Sequence, residues 1–189
     1  MLMCCSLILV ACQAGSDEPP DAPSDDRQAE VSDPSSPPAD LDTIAALLRA
    51  RHADDLPSAE QLANYPSAEA SLRELGLHGE TMLVRTRALA LLRHFDSPPT
   101  GALLAELASD AAIHPALRAA AVSGLIGQPL DDQPERLAIV VAALDDGDPR
   151  VGVAAVEVLD AFGKGRDALR EAAQREDLSS EVRAAIERR

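Results

Sequence analysis

The chain has no tryptophan, one tyrosine and two phenylalanines, so aromatic residues make up only 2% of its 189 positions. That scarcity excludes strand-rich folds, which lean on rings and β-branched side chains, and leaves little to stack against sugars. The three cysteines, Cys4, Cys5 and Cys12, all lie within the first dozen residues, so no disulfide or cysteine-based metal site is available further along. Cations are scarce as well: 17 Lys and Arg face 32 Asp and Glu, a formal charge of −15. Such a surface repels phosphate backbones and acidic headgroups, which argues against nucleic acid as a partner. Motifs of catalysis are missing too, with no Gly-x-Ser-x-Gly, no phosphate-cradling glycine loop and no His-Glu-x-x-His. His52, His78, His94 and His114 are scattered rather than set at metal-ligand spacing. The expectation is a non-enzymatic protein with no catalytic residue, cofactor, metal or evident small-molecule substrate.

What the chain does contain is 46% hydrophobic residue, supplied mainly by Ala, Leu and Val. Alanine has the best helix propensity and lets neighbouring backbones approach, so this composition points to closely packed helices.

The apolar run from Leu2 to Ala11 is too short to cross a bilayer, which takes roughly 20 residues as a helix. It reads as a cleaved signal peptide. Its end, Leu9-Val10-Ala11-Cys12, resembles the bacterial lipobox. That resemblance implies cleavage between Ala11 and Cys12, lipidation of Cys12 and attachment to a membrane of the bacterial cell envelope, facing the periplasm or the surface. One feature departs from the pattern: Met1 to Cys5 carry no Lys or Arg where a basic stretch is usual.

Composition changes sharply over residues 12–40. Six prolines, from Pro19 to Pro38, and eight carboxylates accompany a single Arg27. Proline removes helix donors, like charges repel and almost nothing apolar is available to bury, so this stretch reads as an extended, disordered linker. The carboxylates lack the Asp-x-Asp-x-Asp-Gly spacing of a calcium loop.

From residue 41 onward helical patterns take over. Asp40 or Asp42 precedes an amphipathic helix to about 50, Ser58 and Gln61 form a capping box, and Ser67 opens a helix to about 75, after which Gly76 and Gly79 loosen the chain. Beyond residue 80 a short pattern recurs: Leu83-Val84-Arg85, Ala116-Leu117-Arg118, Arg150-Val151-Gly152 and Glu181-Val182-Arg183. Their middle residues lie 33, 34 and 31 positions apart. A period in the low thirties on helical sequence predicts stacked helix pairs, over 82–94 with 100–109, 115–126 with 134–144, and 149–161 with 166–175, closed by 180–188. Superposed first helices align Ala88, Ala121 and Ala155, then Leu89, Val122 and Val156, then Leu92, Leu125 and Leu159. Phe95 and Phe162 also correspond, as plugs at the hairpin turn. Residues 137–144 are apolar nearly all round, as suits a helix with neighbours on both sides, whereas 166–175 and 180–188 are polar enough to cap the end.

Thr81, His114, Asp148 and Ser179 each stand three residues before the anchoring Val or Leu, as helix caps, and Pro115 and Pro149 follow in the first turn. Here the chain resembles the HEAT repeats: Asp148-Pro149-Arg150-Val151 and His114-Pro115-Ala116-Leu117-Arg118 are similar to that family's Asp-Pro-x-Val-Arg signature. The resemblance implies an all-α fold, a short right-handed α-solenoid of antiparallel helix pairs over residues 41–189, irregular over 41–79 and regular over 80–189. Gly152 stands where the family pattern has arginine. Function follows as an expectation: a membrane-anchored scaffold for an unidentified protein partner, with an accessory or regulatory subunit of an envelope enzyme as the alternative. A lyase with HEAT-like repeats ranks below both. Arg85, Arg118 and Arg183 are candidate partner contacts, against the alternative that they join adjacent repeats through carboxylates such as Asp110 and Asp148.

Overall fold

The computed structural model describes residues 37–189, apart from residue 51 and residues 53–55. The expected signal peptide, the expected cleavage after Ala11 and lipidation of Cys12, and most of the acidic linker fall outside the described residues. Among those described the fold is all-helical, with no strand and no helix long and apolar enough to cross a membrane.

Among the described residues ten helices follow in order: α1 (Leu41–Leu48), α2 (Ala59–Leu62), α3 (Ala68–His78), α4 (Met82–Leu91), α5 (Pro98–Ser109), α6 (Pro115–Gly124), α7 (Pro134–Ala142), α8 (Pro149–Asp160), α9 (Gly163–Ala172) and α10 (Ser180–Glu187). Single 3-10 turns, Leu92–His94, Leu125–Gly127 and Ala143–Asp145, tighten the ends of α4, α6 and α7. Such turns pair carbonyls that the last helical turn leaves free.

Packing follows alternate helices. α4 lies on α6, α6 on α8 and α8 on α10, while α3, α5, α7 and α9 neighbour one another in a second row. The rows meet where α3 touches α4, α5 touches α6, α7 touches α8 and α8 touches α9. The superposed apolar positions explain the first row. Ala88, Ala121, Ala155, Leu89, Val122, Val156, Leu92, Leu125 and Leu159 are all 0% exposed. Alanine lets helix axes come close, and each buried Leu or Val contributes about 1.5–3 kcal/mol of transfer free energy.

Several boundaries differ from those read in the sequence. α3 continues through Gly76 to His78 instead of loosening there. Gly76 serves packing: a Cβ on it would stand 2.6 Å from Leu89 Cδ2 of α4. Ser67 and Asp40 both hold N-cap positions without capping their own helices. They bond to each other, Ser67 Oγ donating to Asp40 Oδ2 at 2.7 Å and accepting from Asp40 N at 3.0 Å, which ties the start of α1 to that of α3. α5 begins at Pro98, with Ser97 as its cap and both prolines in a turn that needs no N–H donor.

The largest shift is at α9, which starts at Gly163, so Gly163, Lys164 and Gly165 form its first turn and not the connection before it. α7 also departs from the expected all-round burial. Val140 is its one fully buried side chain, Leu137, Ile139 and Val141 are partly buried, and Ala138 and Ala142 are exposed.

Candidate interaction surface

Four helix starts are capped by the side chain before them, two accepting from the N–H three residues on and two from the N–H two residues on. Thr81 Oγ1 accepts from Val84 N at 3.2 Å, His114 Nδ1 from Ala116 N at 3.1 Å, Asp148 Oδ1 from Arg150 N at 3.0 Å and Ser179 Oγ from Val182 N at 3.2 Å. Each bond satisfies a donor that the first helical turn leaves free. His114 therefore acts as a capping acceptor. His94 is held below the ordinary imidazole value by burial and by the adjacent Arg93, which favours its neutral form.

The recurring arginines reach backward to main-chain carbonyls. Arg85 Nε donates to Gly76 O at 3.2 Å. Arg118 Nη1 donates to Ile113 O at 2.7 Å and Ala111 O at 3.5 Å, five and seven residues back. Arg183 Nη2 repeats that register with Leu178 O and Glu176 O, also five and seven residues back. A planar guanidinium with five donors suits this gathering of loop carbonyls better than a lysine would.

Arg118 does more. Its Nε and Nη2 donate to the two carboxylate oxygens of Asp146, both at 2.8 Å, in a fork-to-fork pair that joins the start of α6 to the loop before α8. The partner is Asp146 rather than Asp110 or Asp148. Arg118 is only 8% exposed, so most of its donors are engaged within the fold. The hydrogen bond holds the Asp146 carboxyl below the ordinary carboxylate value and raises the Arg118 guanidinium further. Of the three candidate contact arginines, Arg85 is half-buried and Arg183 is exposed.

Gly152, the break in the arginine register, has a steric cause. A Cβ there would lie 2.4 Å from Val182 Cγ2 of α10 and 3.2 Å from Leu144 O. Arg150 takes a different route and folds back on Asp148, which lowers that carboxyl to about 2 through the side-chain hydrogen bond.

Side chains in the hairpin turns and in the first turn of α3, missed in the sequence, connect one helix pair to the next. Asp131, between α6 and α7, accepts from Gly163 N at 3.1 Å and Lys164 N at 2.9 Å, capping α9 from 32 and 33 residues away. Gln128, 1% exposed, donates to Phe95 O at 2.9 Å across 33 residues and accepts from Arg136 at 3.0 Å. Glu69 Oε1 accepts from Thr100 Oγ1 at 2.6 Å across 31 residues, and from Ser97 Oγ. The signal was the polar residues in the α6–α7 turn and at the start of α3, but nothing local distinguished these from solvated residues. Phe95 and Phe162 both pack, partly buried, against the core.

Among the described residues, no group of three or more His, Cys, Asp or Glu is placed to hold a metal ion. Exposed large apolar side chains are Met82, Leu83 and Ile126. A surface cleft of about 260 Å³ is lined by residues of α8, α9 and α10 together with Ala173 and Arg189, which follow α9 and α10.

These features define, over the described residues, an all-helical protein whose polar side chains join neighbouring helix pairs. No protein-family model matches the chain, and no curated protein is similar to it.

Proposed function

We propose that residues 41–189 form a short right-handed α-solenoid of HEAT type, working as a protein–protein interaction scaffold held to a bacterial membrane through a lipidated Cys12 and an acidic, proline-rich linker. The observation that carries the reading is the set of bonds recurring about one repeat apart: Gln128 to Phe95, Asp131 to Gly163 and Lys164, Glu69 to Thr100, and Arg118 to Asp146. Side chains that each join one helix pair to the next are what a stacked array requires, because every unit buries its apolar face on its neighbours. An array of this kind offers a long solvent-facing surface and no enclosed reaction centre, which favours binding over turnover.

Lys164 is the chain's single lysine, and its Nζ donates to Asp131 O, so amine-reactive crosslinkers are poorly suited to finding the partner. Photoreactive residues at Thr43, Glu106, Ala138 and Glu157, all exposed, avoid that difficulty. In the native envelope the scaffold reading expects one discrete protein adduct, formed from adjacent positions. A uniform smear from every position contradicts it. The anchor is tested separately: detergent-phase partitioning is expected for the wild type and lost in Cys12→Ser, and partitioning by the variant contradicts lipidation at that residue.

A further inference from the structure

The connection that leads into α8, Asp145-Asp146-Gly147-Asp148, holds the chain's one Asp-Gly step. An aspartate followed by glycine is the peptide step most prone to close on itself. The glycine amide nitrogen attacks the side-chain carboxyl carbon, an N–C bond forms, and the hydroxyl leaves with the amide proton as water. Glycine has no Cβ to hinder that attack. Water then opens the cyclic imide at either carbonyl and gives back aspartate or gives isoaspartate, in which the main chain runs through the former side-chain carboxyl. Water is the only co-reactant.

Ring closure requires a neutral carboxyl group, which has a leaving hydroxyl, and a backbone turned so that the amide nitrogen faces the side chain. The fold withholds both. Arg118 Nε and Nη2 grip the two carboxylate oxygens of Asp146 at 2.8 Å, and Asp148 N donates to Oδ1 at 2.8 Å. The Arg118 hydrogen bond holds the carboxyl below its ordinary value, so the reactive neutral acid is depleted near neutrality. Asp146 has ψ 141°, an extended setting that turns Gly147 N away from the carboxyl carbon. The residue before it is held as well, Arg175 Nη1 donating to Asp145 Oδ2 at 3.1 Å. Gly147 itself is exposed, and a Cβ on it would meet nothing within 4 Å. Space for the ring is present; what is missing is freedom at Asp146.

We propose that Asp146-Gly147 is a spontaneous isomerisation site guarded by Arg118, so that opening of the joint between α6 and α8 is recorded as isoaspartate. The product lengthens the main chain by one methylene and leaves the carboxylate directly on Cα. Arg118 then no longer finds its fork in the same place, and the approach to α8 is displaced. An opening that would otherwise close again becomes permanent. The site goes beyond the scaffold reading and does not depend on it, because the chemistry lies in the connection alone.

The test holds the full chain near neutral pH for several weeks in water labelled with heavy oxygen. Each passage through the imide leaves one heavy oxygen on residue 146, and peptide mapping with electron-based fragmentation separates isoaspartate from aspartate. Wild type should accumulate isoaspartate slowly, and Arg118→Gln faster by about fivefold or more, since loss of the guanidinium restores the neutral acid. Arg118→Lys keeps the charge without the fork and should fall between them; it carries the same comparison if the Gln variant does not fold. Leu72→Ala, at a 0% exposed position in α3, is the control that lowers stability without touching the pair, and should stay within about twofold of wild type. Gly147→Ala, whose Cβ fits, should abolish the acceleration in either Arg118 background. Equal rates in wild type and the Arg118 variants would overturn the guard. Equal acceleration by Leu72→Ala would overturn it too, by assigning the rate to global unfolding, and acceleration indifferent to Gly147→Ala would remove the site.

Discussion

Arg118 and Asp146, 28 residues apart, meet through two parallel hydrogen bonds of 2.8 Å, with side chains only 10% and 14% exposed. The pair joins the first turn of α6 to the loop that leads into α8, two consecutive members of the first helix row. Asp146 also accepts from Asp148 N at 2.8 Å, so one carboxylate fixes both the arginine and the approach to α8.

Asp146→Asn leaves a nearly buried guanidinium with a neutral partner, and should lower stability near neutral pH by about 2 kcal/mol, read from urea denaturation. The effect depends on pH in a defined direction. The folded carboxyl titrates below its ordinary value of 3.8, so its stabilisation is complete above that value and is lost as pH falls through the lowered one. Wild type and variant are expected to differ most near neutrality and to converge as the pH falls below 3.8. A constant gap down to strong acid would show that charge at Asp146 is not the source.

How much of this was legible in the sequence varies by residue. The capping roles of Thr81, His114, Asp148 and Ser179 were readable because a cap is local: a polar acceptor stands just before an apolar run. The superposed core positions were readable because the period repeats them. The start of α9 was not, since its first turn is capped by Asp131 from another hairpin and contains two glycines that locally signal a break. Arg118 could be singled out, but its partner could not, because Asp110, Asp146 and Asp148 are equivalent until the loops are folded.

Gly152 is expected to resist substitution despite its place in a helix. Alanine there gains roughly 1 kcal/mol in helix propensity but forces a contact with Val182, and overpacking costs about 1–3 kcal/mol. Gly152→Ala should therefore lower stability by about 1 kcal/mol. In a Val182→Ala background the same change should become neutral or stabilising. An equal cost in both backgrounds would place the strain elsewhere.

In α7 the fully buried Val140 is a sharper probe than its neighbours. Val140→Asp should cost about 4 kcal/mol and unfold a marginal array, because a carboxylate there has no exit to water. Leu137→Asp, at a half-buried position, should cost roughly half as much, and Glu187→Ala should stay within about 0.5 kcal/mol. Melting temperatures in the order Glu187→Ala, Leu137→Asp, Val140→Asp, from high to low, support this placement of the helix. Near-equal values for all three would refute it.

Native-state amide hydrogen exchange, resolved along the chain, tests the central claim that these helices form a nearest-neighbour stack. In such a stack, interior units are held on both sides and end units on one, so opening free energies grade along the array. Protection is expected to peak in α6 and α8 and to fall stepwise toward α1 and α10. Equal protection from α1 to α10, lost in a single cooperative opening, would contradict the account.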